Sequence, residues 1–164
     1  MSNFDPLKNC SKHFKYIDFI HCGTTQNKTQ LINTPTDPRT IAAIKEIATT
    51  ILDPVVEHFG EIKITYGFCS NELLQHIKKK PKPGIAPQLD QHAGYELNSK
   101  NKPICKREGF ACDFYAKNIN SLILAQWIIK HLPFDSLYFY GQNNPIHISI
   151  GPETKQPPAK RRVG

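Results

Sequence analysis

The sequence predicts an α+β fold in which a small, mainly antiparallel sheet packs with helices. Helical and strand-like segments alternate along the chain, and the last two strand-like segments are separated by a short turn rich in glycine and asparagine. The 164 residues suit one domain that can bury a core without disulfides. We expect this domain to cover residues 1–153. We expect the polar, proline-containing tail at 154–164 to be disordered.

The main helix of the first half is predicted to begin at Asp37 and Pro38, because aspartate is a favoured N-cap and proline a favoured first helical residue. Gly60 ends the helix, and Pro54 is a point at which it can bend. Apolar residues recur between these limits at three- and four-residue steps: Ile41, Ile44, Ile47, Ala48, Ile51, Val55 and Phe59.

A strand is predicted over residues 61–66, where apolar and polar residues alternate. Ser70 is predicted to cap a short helix that runs to Ile77. Residues 78–108 carry no clear periodicity. A structureless excursion of this length is uncommon in a compact domain unless it is functional.

The second half contains a predicted strand over 109–115 and a helix over 121–131, which Pro133 ends. Two further strands, over 136–140 and 145–150, are joined by a Gly-Gln-Asn-Asn turn. This closing hairpin completes the predicted sheet.

Composition indicates a reducing, cytoplasmic setting. The cysteines are odd in number and form no CxxC pair, and the start MSNFDPLKNC lacks the pattern of a secretory signal. The longest apolar run, SLILAQWII, has the length of one buried helix, so we expect no membrane span. The five cysteines are Cys10, Cys22, Cys69, Cys105 and Cys112.

A net charge of +7 makes nucleic acid a candidate partner. Much of the excess lies in one short stretch and in the tail, and we interpret the first as a solvated loop in preference to a phosphate-binding patch. The residues that would contact nucleic acid are Lys78, Lys79, Lys80, Lys82, Lys160, Arg161 and Arg162.

Three residues form a candidate metal site. His147 alternates with Ile146 and Ile148, and Asp113 alternates with Cys112 and Phe114, so the two polar side chains can share one face of the sheet. Taken singly, each has an ordinary structural explanation, as a core histidine and as a turn carboxylate. Together with His92 they form a His/Asp/His set that suits one zinc ion with a position left open.

Four segments resemble the zinc D-alanyl-D-alanine carboxypeptidase family, which shares its fold with the hedgehog signalling domain. CSKHFKYIDFIHC is similar to the lead-in to the first helix, and ILDPVVEHFGEIKITYGFCSNEL to the helix, strand and "SGYRS" turn that follow. GFACDF resembles the second half of the "SxHxxGxAxD" signature, and LPFDSLYFYGQNNPIHISIG resembles the closing hairpin. The segments are collinear and extend from Cys10 to about Glu153.

The resemblance implies a zinc ion held by His92, Asp113 and His147. His92 precedes Asp113 by 21 residues, a longer spacing than in the family, so we expect an inserted lobe at about 93–108. Cys105 lies inside that interval and is a rival to His92, because a thiolate is a good zinc ligand. The phrase Gln91-His92 favours the histidine.

The chain departs from the family at two catalytic positions. Cys69 stands where the turn supplies an arginine, and Tyr140 or its neighbours stand where a glutamate acts as general base. Asp90 and Glu96, which flank His92, are the candidate replacements for that base.

Two functions follow as hypotheses. The first is a zinc-dependent, peptidase- or amidase-like hydrolase whose specificity differs from that of the D-Ala-D-Ala carboxypeptidases. The second is a catalytically inactive zinc-binding module that recognises nucleic acid or a protein partner.

Overall fold

The structure, a computed structural model, describes residues 4–20, 31–79 and 86–164. The strands are β1 (Ile62–Tyr66), β2 (Phe110–Ala116), β3 (Ser136–Tyr138), β4 (Ile146–Ile150) and β5 (Arg162–Val163). They form one five-stranded sheet in the order β1-β2-β4-β3-β5. The neighbours are antiparallel except for β3 and β5, which are parallel. The predicted α+β class is confirmed.

The helices include both of the long predicted ones. They are α1 (Pro38–Ile47), α2 (Asp53–Phe59), α3 (Asn71–Ile77), α4 (Pro87–Asp90) and α5 (Ser121–His131). Asp37 and Ser70 cap α1 and α3 as predicted, each accepting a hydrogen bond from a backbone N–H of the first turn. At α5 the capping side chain is that of Asn120, and Ser121 is the first helical residue. No helix in the described parts of the chain is long and apolar enough to cross a membrane.

The predicted bend near Pro54 takes the form of a π-helical turn. Residues Ala48–Leu52 form this turn between α1 and α2, and the backbone N–H of Asp53 donates to the carbonyl of Ala48, five residues earlier. Proline has no N–H to continue the regular ladder, so the helix widens in the turn before it.

The sheet has one apolar and one polar face, because successive side chains of a strand point to opposite sides. The apolar face packs on α1 and α5 to form the main core. Its buried strand residues include Cys112, Phe114, Leu137, Ile146, Ile148 and Ile150. The polar face carries Asp113 and His147 opposite each other, so the predicted shared face is confirmed.

The segment from residue 86 to 108 contacts the sheet at the start of β2 and at the turn after β1. The backbone N–H of Ala111 donates to the carbonyl of Gln91, and that of Cys69 donates to the carbonyl of His92. A second apolar cluster joins this segment to α3, and it comprises Cys69, Leu73, Leu74, Ile77, Ala93 and Ile104. The described part of the region without periodicity, residues 86–108, is therefore a packed lobe whose order comes from tertiary contacts.

The tail is ordered in the structure, in contrast to the predicted disorder of 154–164. β5 extends the sheet beside β3, and the guanidinium of Arg161 donates to the carbonyl oxygens of Ile129 and Leu132. It also lies over the ring of Phe134, 4.0 Å from the ring centroid. The tail has little apolar surface to bury, so composition predicts disorder; backbone pairing and one arginine hold it instead.

These contacts also bear on the candidate nucleic-acid surface. Arg161 binds main-chain carbonyls, and Arg162 pairs with Glu153 at 3.2 Å, so both arginines have partners within the protein. Lys78 and Lys79 are exposed after α3. Lys80 and Lys82 lie outside the described residues.

Candidate metal centre

The three residues of the predicted metal site lie together. Asp113 on β2 is directly opposite His147 on β4, and His92 reaches the same place from the lobe. The Nε2 atom of His92 is 3.3 Å from Oδ1 of Asp113, and Nδ1 of His147 is 2.7 Å from the same oxygen. The positions of Asp113 and His147 are thus fixed by the backbone hydrogen bonds that pair β2 with β4.

His92 is held by its main chain as well as by its ring. Gln91, just after α4, has a left-handed backbone (φ 68°), which turns the chain toward the sheet. The carbonyl of His92 then accepts the bond from the Cys69 N–H at 3.0 Å. The imidazole is completely buried, so its position is set on all sides.

The hydrogen bond between His147 and Asp113 decides which nitrogen of His147 is free. A carboxylate can only accept, so Nδ1 of His147 carries the proton and donates to Asp113. Nε2 of His147 is buried and has no hydrogen-bond partner. In the neutral ring this second nitrogen offers a lone pair, the form in which histidine binds a metal.

The carbonyl of Gly67 orients His92 in the same way. It lies 2.9 Å from Nδ1 of His92 and accepts from it, which leaves Nε2 of His92 free of any hydrogen bond. The chain passes so close to Phe19 that a Cβ atom at residue 67 would lie 2.2 Å from the Phe19 carbonyl oxygen. Glycine is required here by this close approach, which places the orienting carbonyl.

Asp90 completes a group of ligand atoms. Its Oδ1 atom is buried without a hydrogen-bond partner, and the ligand atoms of Asp90, His92 and His147 lie within 4.8 Å of one another. Buried polar atoms are normally paired, so neighbouring residues with three unpaired acceptors are suited to binding a cation. The group can hold a metal ion, and two imidazoles with a carboxylate fit a divalent transition metal.

The pocket favours positive charge even without a metal. Burial alone lowers the pKa of His92, but the charge of Asp113, the hydrogen bond that a protonated Nε2 can donate to Asp113, and the charge of Asp90 outweigh it and raise the pKa to about 9. Burial alone raises the pKa of Asp113, but the effects of His92 and His147 outweigh burial and lower that pKa to about 2. Two carboxylates around two imidazoles create a site that a cation neutralises.

The other residues proposed from the sequence lie elsewhere. Glu96 is buried and accepts four hydrogen bonds, from the N–H and hydroxyl of Thr36, the N–H of Asp37 and the hydroxyl of Thr40. This carboxylate fastens the lobe to the start of α1, so the structure gives it a structural role in place of the predicted one as base. Cys105 is buried and is not part of the group of described residues that could hold a metal ion.

The two positions at which the sequence differs from the carboxypeptidase pattern that it resembles, Cys69 and Tyr140, also have defined surroundings. Cys69 is buried, and its thiol points to the carbonyl of Ser70, so the turn after β1 presents no charged group at this position. Tyr140 follows β3 and is 60% exposed.

Asp90 was predicted as a general base, and the sequence did not predict that it would lie with His92 and His147 as a candidate metal ligand. The signal was present, because Asp90 and His92 are two residues apart in DQH. The left-handed turn at Gln91 between them, which the sequence does not reveal, brings both side chains to one point.

Comparison with protein-family models, with curated protein sequences and with solved structures finds no significant match.

Proposed function

We propose that the protein is a metal-dependent hydrolase, and that Asp90, His92 and His147 hold a single zinc ion. One observation carries the proposal: each of these three residues has a buried acceptor atom without a partner, and the three bring ligand atoms within 4.8 Å of one another. Two histidine nitrogens and one carboxylate oxygen are a zinc donor set that leaves a fourth position for a ligand.

In this proposal Asp113 positions His147. It accepts the Nδ1 proton of His147 and keeps Nε2 directed at the metal, as the Gly67 carbonyl does for His92. Zinc in such a site polarises a carbonyl and lowers the pKa of a bound water. The histidine side chains are almost wholly buried, whereas those of Asp90 and Asp113 are 27% and 18% exposed, so a substrate would enter from the carboxylate side.

The substrate class is an amide or ester, and the specificity differs from that of D-Ala-D-Ala carboxypeptidases. The resemblance in the order of motifs supports amide chemistry. The buried thiol of Cys69 lacks the planar, positively charged fork with which an arginine would hold a substrate carboxylate. We therefore expect no release of D-alanine from a peptide that ends in D-Ala-D-Ala.

Elemental analysis of the purified protein and its variants tests the ligand set. We expect about one zinc per chain in the native protein and in Cys105→Ser, and none in His92→Ala, His147→Ala or Asp90→Asn, because two remaining ligands do not retain the ion. Stoichiometric zinc in Asp90→Asn together with its loss in Asp113→Asn would assign the third ligand to Asp113.

A zinc-stabilised recognition module is the second candidate, and the lack of a charged group at Cys69 favours it. The coordination of a cobalt-substituted sample separates the two functions. Four protein ligands around cobalt, with no band shift on adding small anions, would support a structural metal; an exchangeable position supports the hydrolase.

A further inference from the structure

A row of four paired residues crosses the sheet at the metal-binding group. Tyr66 on β1 pairs with Asp113, and Asp113 pairs with His147. His147 in turn pairs with Tyr138 on β3. Side chains that pair directly across neighbouring strands lie on one face of the sheet. A tyrosine therefore stands at each end of the row, and the two central residues belong to the metal pocket.

A β-bulge brings Tyr66 into this row. Ile64 pairs with Phe114 on the core side, whereas Tyr66, two residues later, pairs with Asp113, so the register shifts between them. The extra residue, Thr65, reverses the alternation of the strand and turns Tyr66 to the face that carries the metal-binding group. Bulges often redirect a side chain beside a functional site.

The rings of the two tyrosines have different surroundings. The ring of Tyr66 meets the ring of His92 edge-on, with the centroids 6.4 Å apart, and it packs against the apolar cluster that joins the lobe to α3. The ring of Tyr138 lies closer to its histidine. Its centroid is 5.5 Å from that of His147, and the two ring planes are inclined by 32°. Tyr66 is thus part of the packing of the lobe, whereas Tyr138 lies at the side of the pocket.

The ring of Tyr138 is half-buried and is not a member of either apolar cluster formed by the described residues. Gly164 lies against one edge of the ring, since a Cβ atom at residue 164 would be 2.6 Å from Cδ1 of Tyr138. The ring is therefore supported by His147 and by the main chain of the tail, and it keeps apolar surface that these contacts do not cover.

The metal pocket consequently has an acidic side and an aromatic side. Asp90 and Asp113 form the acidic side, and their side chains are 27% and 18% exposed. Tyr138 forms the aromatic side, next to the histidine whose Nε2 has no hydrogen-bond partner. A ligand bound to a metal at this nitrogen lies beside the ring of Tyr138. Aromatic rings favour other flat groups at centroid distances of about 4.5–7 Å.

We propose that Tyr138 determines specificity at the metal site, because its ring packs against a flat apolar group next to the metal-bound carbonyl of the substrate. The substrate class is then an amide or ester that carries an aromatic group beside the reacting carbonyl. The contact is noncovalent, and it requires the ring of Tyr138 but not the hydroxyl. The inference rests on the proposed function, since the metal positions the carbonyl.

Two hydroxamates test the inference in the cobalt-loaded protein, where visible absorption reports ligands on the metal. Acetohydroxamate and benzohydroxamate bind metal through the same group and differ in a methyl against a phenyl substituent. The ratio of their dissociation constants is measured in the native protein, in Tyr138→Leu and in Tyr138→Phe. Leucine keeps an apolar side chain without a ring, and phenylalanine is the matched control that keeps the ring. We expect the preference for benzohydroxamate to fall at least about fivefold in Tyr138→Leu and to persist in Tyr138→Phe.

The outcomes separate this inference from the proposed function. An unchanged ratio in cobalt-loaded Tyr138→Leu would overturn the role of Tyr138 while the metal site stands. An equal fall of the ratio in Tyr138→Phe would assign the effect to the hydroxyl and overturn the role of the ring. Loss of cobalt from both variants would show that Tyr138 holds His147 in place and does not select the ligand. Failure of the native protein to bind cobalt or zinc would overturn the proposed function and the inference with it.

Discussion

Two groups of polar side chains share one face of the sheet and differ in whether their atoms have partners. The first is the metal pocket, formed by Asp90, His92, Asp113 and His147. The second, which we name the Asp135 cluster, lies one step along the same strands and comprises Gln91, Arg107, Asp135, Ser136 and Ser149. Ser149 is two residues beyond His147 on β4.

The hydrogen bonds of the Asp135 cluster are complete except at Oε1 of Gln91, which is buried and has no partner. Asp135 Oδ2 accepts from Gln91, from Ser149 and from Arg107, the last at 2.6 Å. The hydroxyls of Ser136 and Ser149 bond to each other at 2.6 Å. In the metal pocket, by contrast, acceptors on three of the four residues have no partner. A buried carboxylate whose oxygens are paired stabilises the fold, whereas unpaired buried acceptors are available to bind a ligand.

The largest effect is expected at the paired cluster. Asp135→Ala leaves Arg107, Ser149 and the amide of Gln91 without their acceptor, and we expect a loss of about 3 kcal/mol in the free energy of unfolding. The value lies at the low end for buried pairs because Arg107 is 31% exposed and regains water. Urea denaturation of the metal-free protein measures it.

The contrasting variant is Asp90→Asn in the metal pocket. It removes the charge of a carboxylate whose Oδ1 atom has no hydrogen-bond partner, so we expect the free energy of unfolding of the metal-free protein to fall by less than about 1 kcal/mol. The same variant should no longer bind zinc. Equal destabilisation by Asp135→Ala and Asp90→Asn would contradict the proposed difference between the Asp135 cluster and the metal pocket.

The next effect concerns Asp113, which is paired but belongs to the metal pocket. Asp113→Asn keeps an oxygen that can accept from Nδ1 of His147 but removes its charge, so we expect zinc affinity to fall about 10- to 100-fold without being abolished. Competition with a chromophoric chelator gives the dissociation constant. Complete loss of zinc would show that Asp113 is a ligand.

A smaller effect is expected where the tail joins the sheet beside the Asp135 cluster. Arg161→Ala removes two hydrogen bonds to main-chain carbonyls and the contact with Phe134, and should lower stability by about 1–2 kcal/mol. Arg161→Lys, which keeps the charge but loses the planar fork, should recover only part of this. An unchanged unfolding midpoint in both variants would show that Arg161 does not hold the tail against the domain, as expected for a disordered tail.

The last prediction uses the raised pKa of His92. A proton and a metal compete for its Nε2 atom, so zinc affinity should rise about tenfold per pH unit between pH 7 and 8 and level off near pH 9. In the metal-free protein the same group stabilises the fold fully below its unfolded pKa of 6.5, and that contribution is lost as the pH rises through about 9. Chelator competition on the native protein and urea denaturation across this pH range test both halves, and His92→Gln, which should not retain zinc, should flatten the stability profile of the metal-free protein.

Much of the fold could be predicted from local signals in the sequence. Apolar spacing and caps such as Asp37 and Ser70 placed the helices, and alternation placed the strands and put Asp113 and His147 on one face. These features depend on periods of 3.6 and 2 residues, which the sequence displays directly.

Tertiary structure alone decided the contents of the metal pocket. Asp90 is part of the pocket because Gln91 adopts a left-handed backbone conformation. Glu96 is not part of it, because the oxygens of Glu96 accept hydrogen bonds from Thr36 and Thr40. The tail is ordered because carbonyls more than 25 residues away bind Arg161. Such pairings join residues that are distant in the chain, and they depend on which polar atoms the packing leaves without a partner, a property that no single stretch of sequence contains.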